Sequence, residues 1–193
     1  FFLTQMEVGC VVDLIAVSPV RGVMPLKIGT VVVEEVQTSL FTVGAPKVLS
    51  KNLLKMVKSM TGMDWPNVCQ IKSKDDISLM WFDHTHVAIM GVTPTLQLKK
   101  IAAVTDVSDA WLIVDIDGVD ARKVLSRVTP TDMREQRFKT GMTQRGDLMH
   151  MQASISCIAE HRFRIMVFRS MAQTLVHELT IAMKSVAART REA

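Results

Sequence analysis

Two histidines one residue apart, His84 and His86 on either side of Thr85, are the first residues here whose types and spacing suit chemistry. Such a pair puts both imidazoles on one side of a strand, a spacing that metals use. A third ligand would have to be Asp83 or Asp147, and nothing in the sequence brings them together. The group therefore reads as polar residues at a hairpin turn, with His150 a strand residue and His161 a turn residue. A nucleophilic site needs Ser or Cys beside a His and an orienting carboxylate. Cys157 lies in an alternating run, where a thiol is commonly just buried, and there is no nucleophile elbow. Gly118-Val119-Asp120 and Gly141 to Gly146 supply glycines. Neither is a G-x-G-x-x-G following a strand or a phosphate-binding loop, so nucleotide or flavin binding has no support. Arg145-Gly146-Asp147 reads as a turn. Arg122, Arg127, Arg134, Arg137 and Arg145 form a loose basic set around Thr129 to Asp147. That set suits a carboxylate-rich ligand, an acidic subunit surface or plain solvation. From the residues alone no catalytic constellation emerges.

The elements that must position these residues are legible from periodicity. Pro19, Gly22, Pro25 and Gly29 mark an extended opening segment, and Val31 to Val36 reads as a strand from its β-branched content. Pro46 opens a helix whose apolar positions run from Val48 to Met60, and Gly62 ends it. Met63 to Lys74 is a loop with room for a short strand. Asp76 to Phe82 and Val87 to Met90 form a hairpin, and Pro94 starts a helix to about Ala102. Ala110 to Asp117 is a strand, Val119 to Arg127 a short helix, and Thr129-Pro130 stops it. The alternating runs Met149 to Cys157 and Phe163 to Phe168 make a second hairpin. Ser170 is placed to cap the last helix, whose stripe is Ala172, Leu175, Val176, Leu179, Met183 and Val186. The order from Val31 to Ala102 repeats from Trp111 to Val186, with Ile89-Met90 before Pro94 matching Ile165-Met166 before Ser170. The expected fold class is α+β: two strand–helix–hairpin–helix units of ferredoxin-like, split βαβ type, their antiparallel sheets covered by helices. The expected organisation is a lead-in at 1–17, a first unit at 18–105 and a second at 106–193, the two able to form one compact domain.

Composition narrows the function classes. A chain of 193 residues can bury a core without disulfides or metal. Its 14 Met and absence of Tyr argue against a sugar site or a base-stacking surface. The net charge of +4 is scattered, with no basic stripe, so no nucleic-acid partner is implied. Cys10, Cys69 and Cys157 are odd in number and far apart, which implies neither a disulfide framework nor a zinc site and points to a reducing compartment. Phe1 to Val17 is apolar but contains Glu7 and Asp13, making it a poor signal peptide and a poor membrane span. The expectation is a cytoplasmic chain with no membrane partner.

A set of dispersed residues goes further. It comprises Ser108-Asp109-Ala110-Trp111; Gly118-Val119-Asp120-Ala121 leading to Val124-Leu125; and Asp132 followed by Arg137-Phe138-Lys139-Thr140-Gly141. It continues with Leu148-Met149-His150-Met151, Ile155 and Phe163, then Phe168 to Ala172 and Leu175 to Leu179. Together with Ser18 to Gly22 and Leu26 to Gly29, this pattern resembles the gamma subunit of heterotetrameric sarcosine oxidase. More distantly it is similar to the folate-binding aminomethyltransferase fold of the glycine-cleavage T-protein.

The resemblance implies a subunit with no cofactor of its own, in a complex with alpha, beta and delta subunits. Such a complex oxidatively demethylates sarcosine to glycine, with oxygen as acceptor, and delivers the one-carbon unit to tetrahydrofolate. FAD, FMN, NAD and zinc belong to its other subunits, and the chain's own role is to assemble with and position the alpha subunit. Neither a catalytic residue nor a metal ligand carries over. A stand-alone folate protein would need a carboxylate to hold a pterin, for which Asp132 is the candidate. A homodimeric binding module is the third reading.

Overall fold

The computed structural model describes residues 17–44 and 49–191. In these the chain runs β1 (Leu26–Ile28), β2 (Val31–Glu35), β3 (Leu40–Gly44), α1 (Lys51–Thr61), β4 (Ile71–Lys74), β5 (Ile77–Trp81), β6 (His86–Met90), α2 (Leu96–Ile101) and β7 (Ala103–Asp106). There follow β8 (Trp111–Asp117), α3 (Ala121–Val128), β9 (Thr143–Leu148), β10 (Met151–Ala159), β11 (Arg162–Phe168) and α4 (Ala172–Arg191). The expected lead-in, apart from Val17, and with it Cys10, lies outside the described residues, as do Pro46 and Val48 at the expected start of the first helix.

Local chemistry sets the helix ends. Ser50 caps α1, accepting the Leu53 N–H at 3.1 Å, and Gly62 closes it in the left-handed region at φ 72°. Thr95 does the same for α2 by accepting from Leu98 N–H at 3.3 Å. Ser170 does not cap α4; it sits in a 3₁₀ turn, Arg169–Met171, that runs directly into the helix.

All strand pairs are antiparallel and form two sheets, ordered β1-β2-β8-β11-β10-β9 and β4-β5-β6-β3-β7. Alternation along the central strands then dictates the layers. On β8, Leu112, Val114 and Ile116 pack with Val124, Leu125, Leu175, Leu179 and Met183 of α3 and α4, while Trp111 and Ile113 face Leu40, Met80, Phe82 and Met90 of the second sheet. On that second sheet Val43, Leu79, Val87 and Ile89 pack with Leu53, Val57 and Leu98 of α1 and α2. The result is helices, sheet, sheet, helices: an α+β fold of two antiparallel sheets. The stripe expected on α4 is buried throughout, and each Leu of it contributes about 1.5–3 kcal/mol by leaving water.

The repeat is present, but the part expected of Val31 to Val36 is taken by β3. In the sheets, β4-β5-β6-β3 corresponds to β9-β10-β11-β8, and β2 instead pairs with β8, Glu34 opposite Asp115 and Val33 opposite Ile116. The sheets thus divide the chain differently from a cut at residue 105, since β1 and β2 join the sheet of the second half. Gly118 explains why the chain can come this close: at φ 137°, a Cβ there would lie 2.0 Å from the Thr30 carbonyl oxygen. The turn expected at Arg145-Gly146-Asp147 is part of strand β9, registered as Arg145 with Ser154 and Asp147 with Gln152. His150 is in the hairpin turn after it rather than in a strand, and Met149 beside it has φ 51°. No described helix is long and apolar enough to cross a membrane.

Candidate functional site

Asp132 sits on the loop between α3 and β9, at the mouth of a cleft of about 480 Å³. One wall is Val119 and the exposed side of α3, with Arg122, Lys123 and Ser126; the other is the loop Thr129–Glu135, and the turn residues Glu160 and His161 close one end. The Asp132 carboxylate is already engaged. Arg134 Nε reaches Oδ1 at 2.9 Å, Nη2 reaches Oδ2 at 2.5 Å, and the Arg134 backbone N–H donates to Oδ1 at 3.1 Å. Hydrogen bonding from Arg134 is the main reason its pKa falls from the usual carboxylate value to about 2. It is therefore an anion at neutral pH and has no proton to give.

Several other polar groups of the cleft are also engaged. Arg122 donates Nη1 to the carbonyls of Met133 (2.6 Å) and Phe138 (3.0 Å), and its guanidinium lies 4.9 Å from the Phe163 ring centroid. It pins the 129–141 loop onto the sheet. Lys123 pairs with Asp120 at 2.8 Å, and Asp120 also accepts from the Thr30 hydroxyl at 2.7 Å; the Lys123 and Thr30 hydrogen bonds lower its pKa. Ser126 Oγ donates to the Lys123 carbonyl and Thr129 Oγ1 to that of Asp147. What the cleft offers is a surface for binding, with no poised nucleophile–base pair.

The basic set around Thr129 to Asp147 does not form one patch. Arg122 and Arg134 line the cleft, whereas the Arg145 guanidinium lies 4.3 Å from the Phe82 centroid and 5.7 Å from that of Trp111. Cys157 is fully buried, its sulfur 3.2 Å from the Ala159 carbonyl and 4.0 Å from Arg122 Nη2. At the other histidines, His86 Nδ1 meets Asp83 Oδ1 at 3.0 Å and Thr85 Oγ1 at 2.8 Å, while the His84 ring stands edge-on to Trp81. Burial raises the Asp83 pKa, but the hydrogen bonds from Thr85 and His86 outweigh it and the net direction is down. Asp147, the other possible third ligand, is bonded to Gln152 on β10. Among the described residues no group of three or more His, Cys, Asp or Glu is placed to hold a metal ion.

One constellation escaped the reading of the sequence. Asp115, 2% exposed, points from β8 into the layer between the sheets and accepts from two arginines of β11. Arg164 binds it through Nε (2.8 Å) and Nη2 (3.0 Å), and Arg162 through Nη2 (2.8 Å). Arg164 also reaches Ser78 Oγ of the second sheet at 3.5 Å. A charge inside the apolar run of β8, and two arginines alternating with Phe163 and Ile165, were the available signals.

No family model and no curated protein sequence matches the chain. Solved structures do. A chain of heterotetrameric sarcosine oxidase from Corynebacterium sp. U-96, determined with pyrrole 2-carboxylate, is similar at a TM-score of 0.74 and 18% identity, over 89% of this chain and 96% of that one. The glycine cleavage system aminomethyltransferase T from Bartonella henselae is similar at a TM-score of 0.57 and 14% identity. That match covers 79% of this chain and 46% of the aminomethyltransferase, so this chain spans about half the enzyme's length. The fold is that of a sarcosine oxidase chain and of part of the aminomethyltransferase.

Proposed function

We propose that this chain is a subunit of a sarcosine-oxidase-like oxidoreductase complex, acting in assembly and in positioning a larger subunit. The observation that carries the reading is the near end-to-end match with one chain of a heterotetramer, against coverage of under half of the aminomethyltransferase. The resemblance in sequence runs the same way. Its residues fall on β8, the start of α3, the loop through Gly141, the β10–β11 hairpin and α4, which together build one sheet and its helices. The cofactors FAD, FMN, NAD and zinc are assigned to the other subunits, as is the tetrahydrofolate site. Asp132 is a weak candidate for holding a folate group, because both its oxygens are held by Arg134.

The test is to pull the tagged chain from extract of its native cells and record the visible spectrum of the eluate. Larger co-purifying chains with flavin absorption and sarcosine-dependent oxygen uptake are the expected result. A colourless, lone protein overturns the reading, and a tetrahydrofolate titration then separates a folate protein from a self-associating module.

A further inference from the structure

The pair His84 and His86 does not build a metal centre, but the hollow it lines has a chemistry of its own. It encloses about 280 Å³. Two of the chain's three tryptophans line it, Trp65 from the loop after α1 and Trp81 from the end of β5, both half-buried. The His84 ring meets Trp81 edge-on, with centroids 6.1 Å apart at 82°. Lys72 Nζ donates to the carbonyls of Asp64 (2.9 Å) and Trp65 (3.3 Å), tying down the loop that carries Trp65. Among the described residues the one carboxylate of the lining is Asp83, and no Lys or Arg lines the hollow. That carboxylate is held in place by the Thr85 N–H at 2.7 Å, the Thr85 hydroxyl at 3.0 Å and His86.

Indole faces attract cations through the ring quadrupole, most effectively when the cation is already weakly hydrated. Alkylation of an ammonium removes its hydrogen-bond donors and lowers its hydration, while adding methyl groups that pack on aromatic faces. A fixed anion at the rim adds attraction without demanding a donor. We propose that this hollow binds the alkylated ammonium group of a small organic cation, between Trp65 and Trp81 and beside the Asp83 carboxylate. The site belongs to this chain alone and does not depend on the oxidase reading.

The full chain is titrated with choline and, separately, with 3,3-dimethyl-1-butanol, which has the same shape with carbon in place of nitrogen. The indole N–H resonances of Trp65 and Trp81 report binding, and that of Trp111, which lies between the sheets, is the internal control. Choline is expected to shift the first two saturably and to bind about five- to tenfold more tightly than the uncharged isostere. Trp65→Leu and Asp83→Asn, both at partly exposed positions, are expected to weaken choline by a similar factor. The comparison of the two ligands on the unaltered chain keeps the test valid should a variant fail to fold. No saturable shift with choline overturns the proposal. So does equal binding of the isostere, which would make the hollow an apolar groove of the kind that takes proline-rich peptide.

Discussion

The two faces of the β8–β11 strand pair are built on opposite principles. Toward α3 and α4 the layer is apolar: Leu112, Val114, Ile116, Phe163, Ile165 and Val167 meet helix side chains, with the Arg122 guanidinium lying over the Phe163 ring at its edge. Toward the second sheet the same strands present Trp111, Ile113 and Met166, but also Asp115 with its two arginines. Nearby, Thr143 and Ser156 share a buried hydrogen bond of 2.7 Å. Helix-to-sheet packing is non-directional and tolerates sliding, whereas charge-assisted bonds with fixed forks do not. The difference teaches that the helix side supplies stability and the inter-sheet side supplies register: Arg164, bound to Asp115 and reaching Ser78, fixes where one sheet lies on the other.

Substitutions that discriminate the two faces follow in order of size. Phe163→Ala removes a fully buried ring packed on Phe138 and under Arg122. It is expected to cost about 4 kcal/mol in urea unfolding. Asp115→Ala leaves two arginines facing each other in a partly buried site and is expected to cost about 3 kcal/mol. The informative sequel is the triple replacement Asp115→Leu, Arg162→Met, Arg164→Met. If the cluster serves register rather than stability, the triple variant regains the stability of the parent to within about 1 kcal/mol. A loss larger than that of Asp115→Ala alone would show that the cluster stabilises outright. Ser156→Ala, which takes a partner from Thr143, is expected to cost about 1 kcal/mol.

The smallest effect is at the cleft. Because the Asp132 pKa is depressed, any stability from its pair with Arg134 is complete above the ordinary carboxylate range and is lost only as pH falls toward about 2. The pair is exposed to solvent, so Arg134→Gln should leave the thermal midpoint at neutral pH unchanged. Carboxyl NMR should nonetheless show the Asp132 pKa rising toward the ordinary range, short of it because the residue-134 N–H still donates to Oδ1.

What could be read from the sequence followed the same division. The stripe of α4, the Gly62 end of α1, the apolar run of β8 and the alternation of β10 and β11 are local signals, and the structure has these elements. β9 was missed because Thr143-Gln144-Arg145-Gly146-Asp147-Leu148 is polar with a central glycine. It is a strand through its pairing with β10, at the sheet's edge, not through any pattern of its own. β3 and β7 are five and four residues long, too short for periodicity to show. The swap of β2 onto β8 is a long-range pairing that local pattern does not encode. At the candidate site, the sequence placed Asp132 on a loop, but not that Arg134, two residues on, would occupy both its oxygens. The Asp115 cluster was missed since a lone Asp in a strand says nothing of the arginines 47 and 49 residues later.

The central proposal is that this chain works inside an oxidase complex whose catalysis lies in other subunits, and one measurement bears on it most directly. Sarcosine-dependent oxygen uptake is recorded in native cells lacking this chain, and again after it is restored. The account predicts that uptake falls to background without the chain and returns with it, and returns equally with the Asp132→Asn form. Uptake unaffected by its loss would contradict the account.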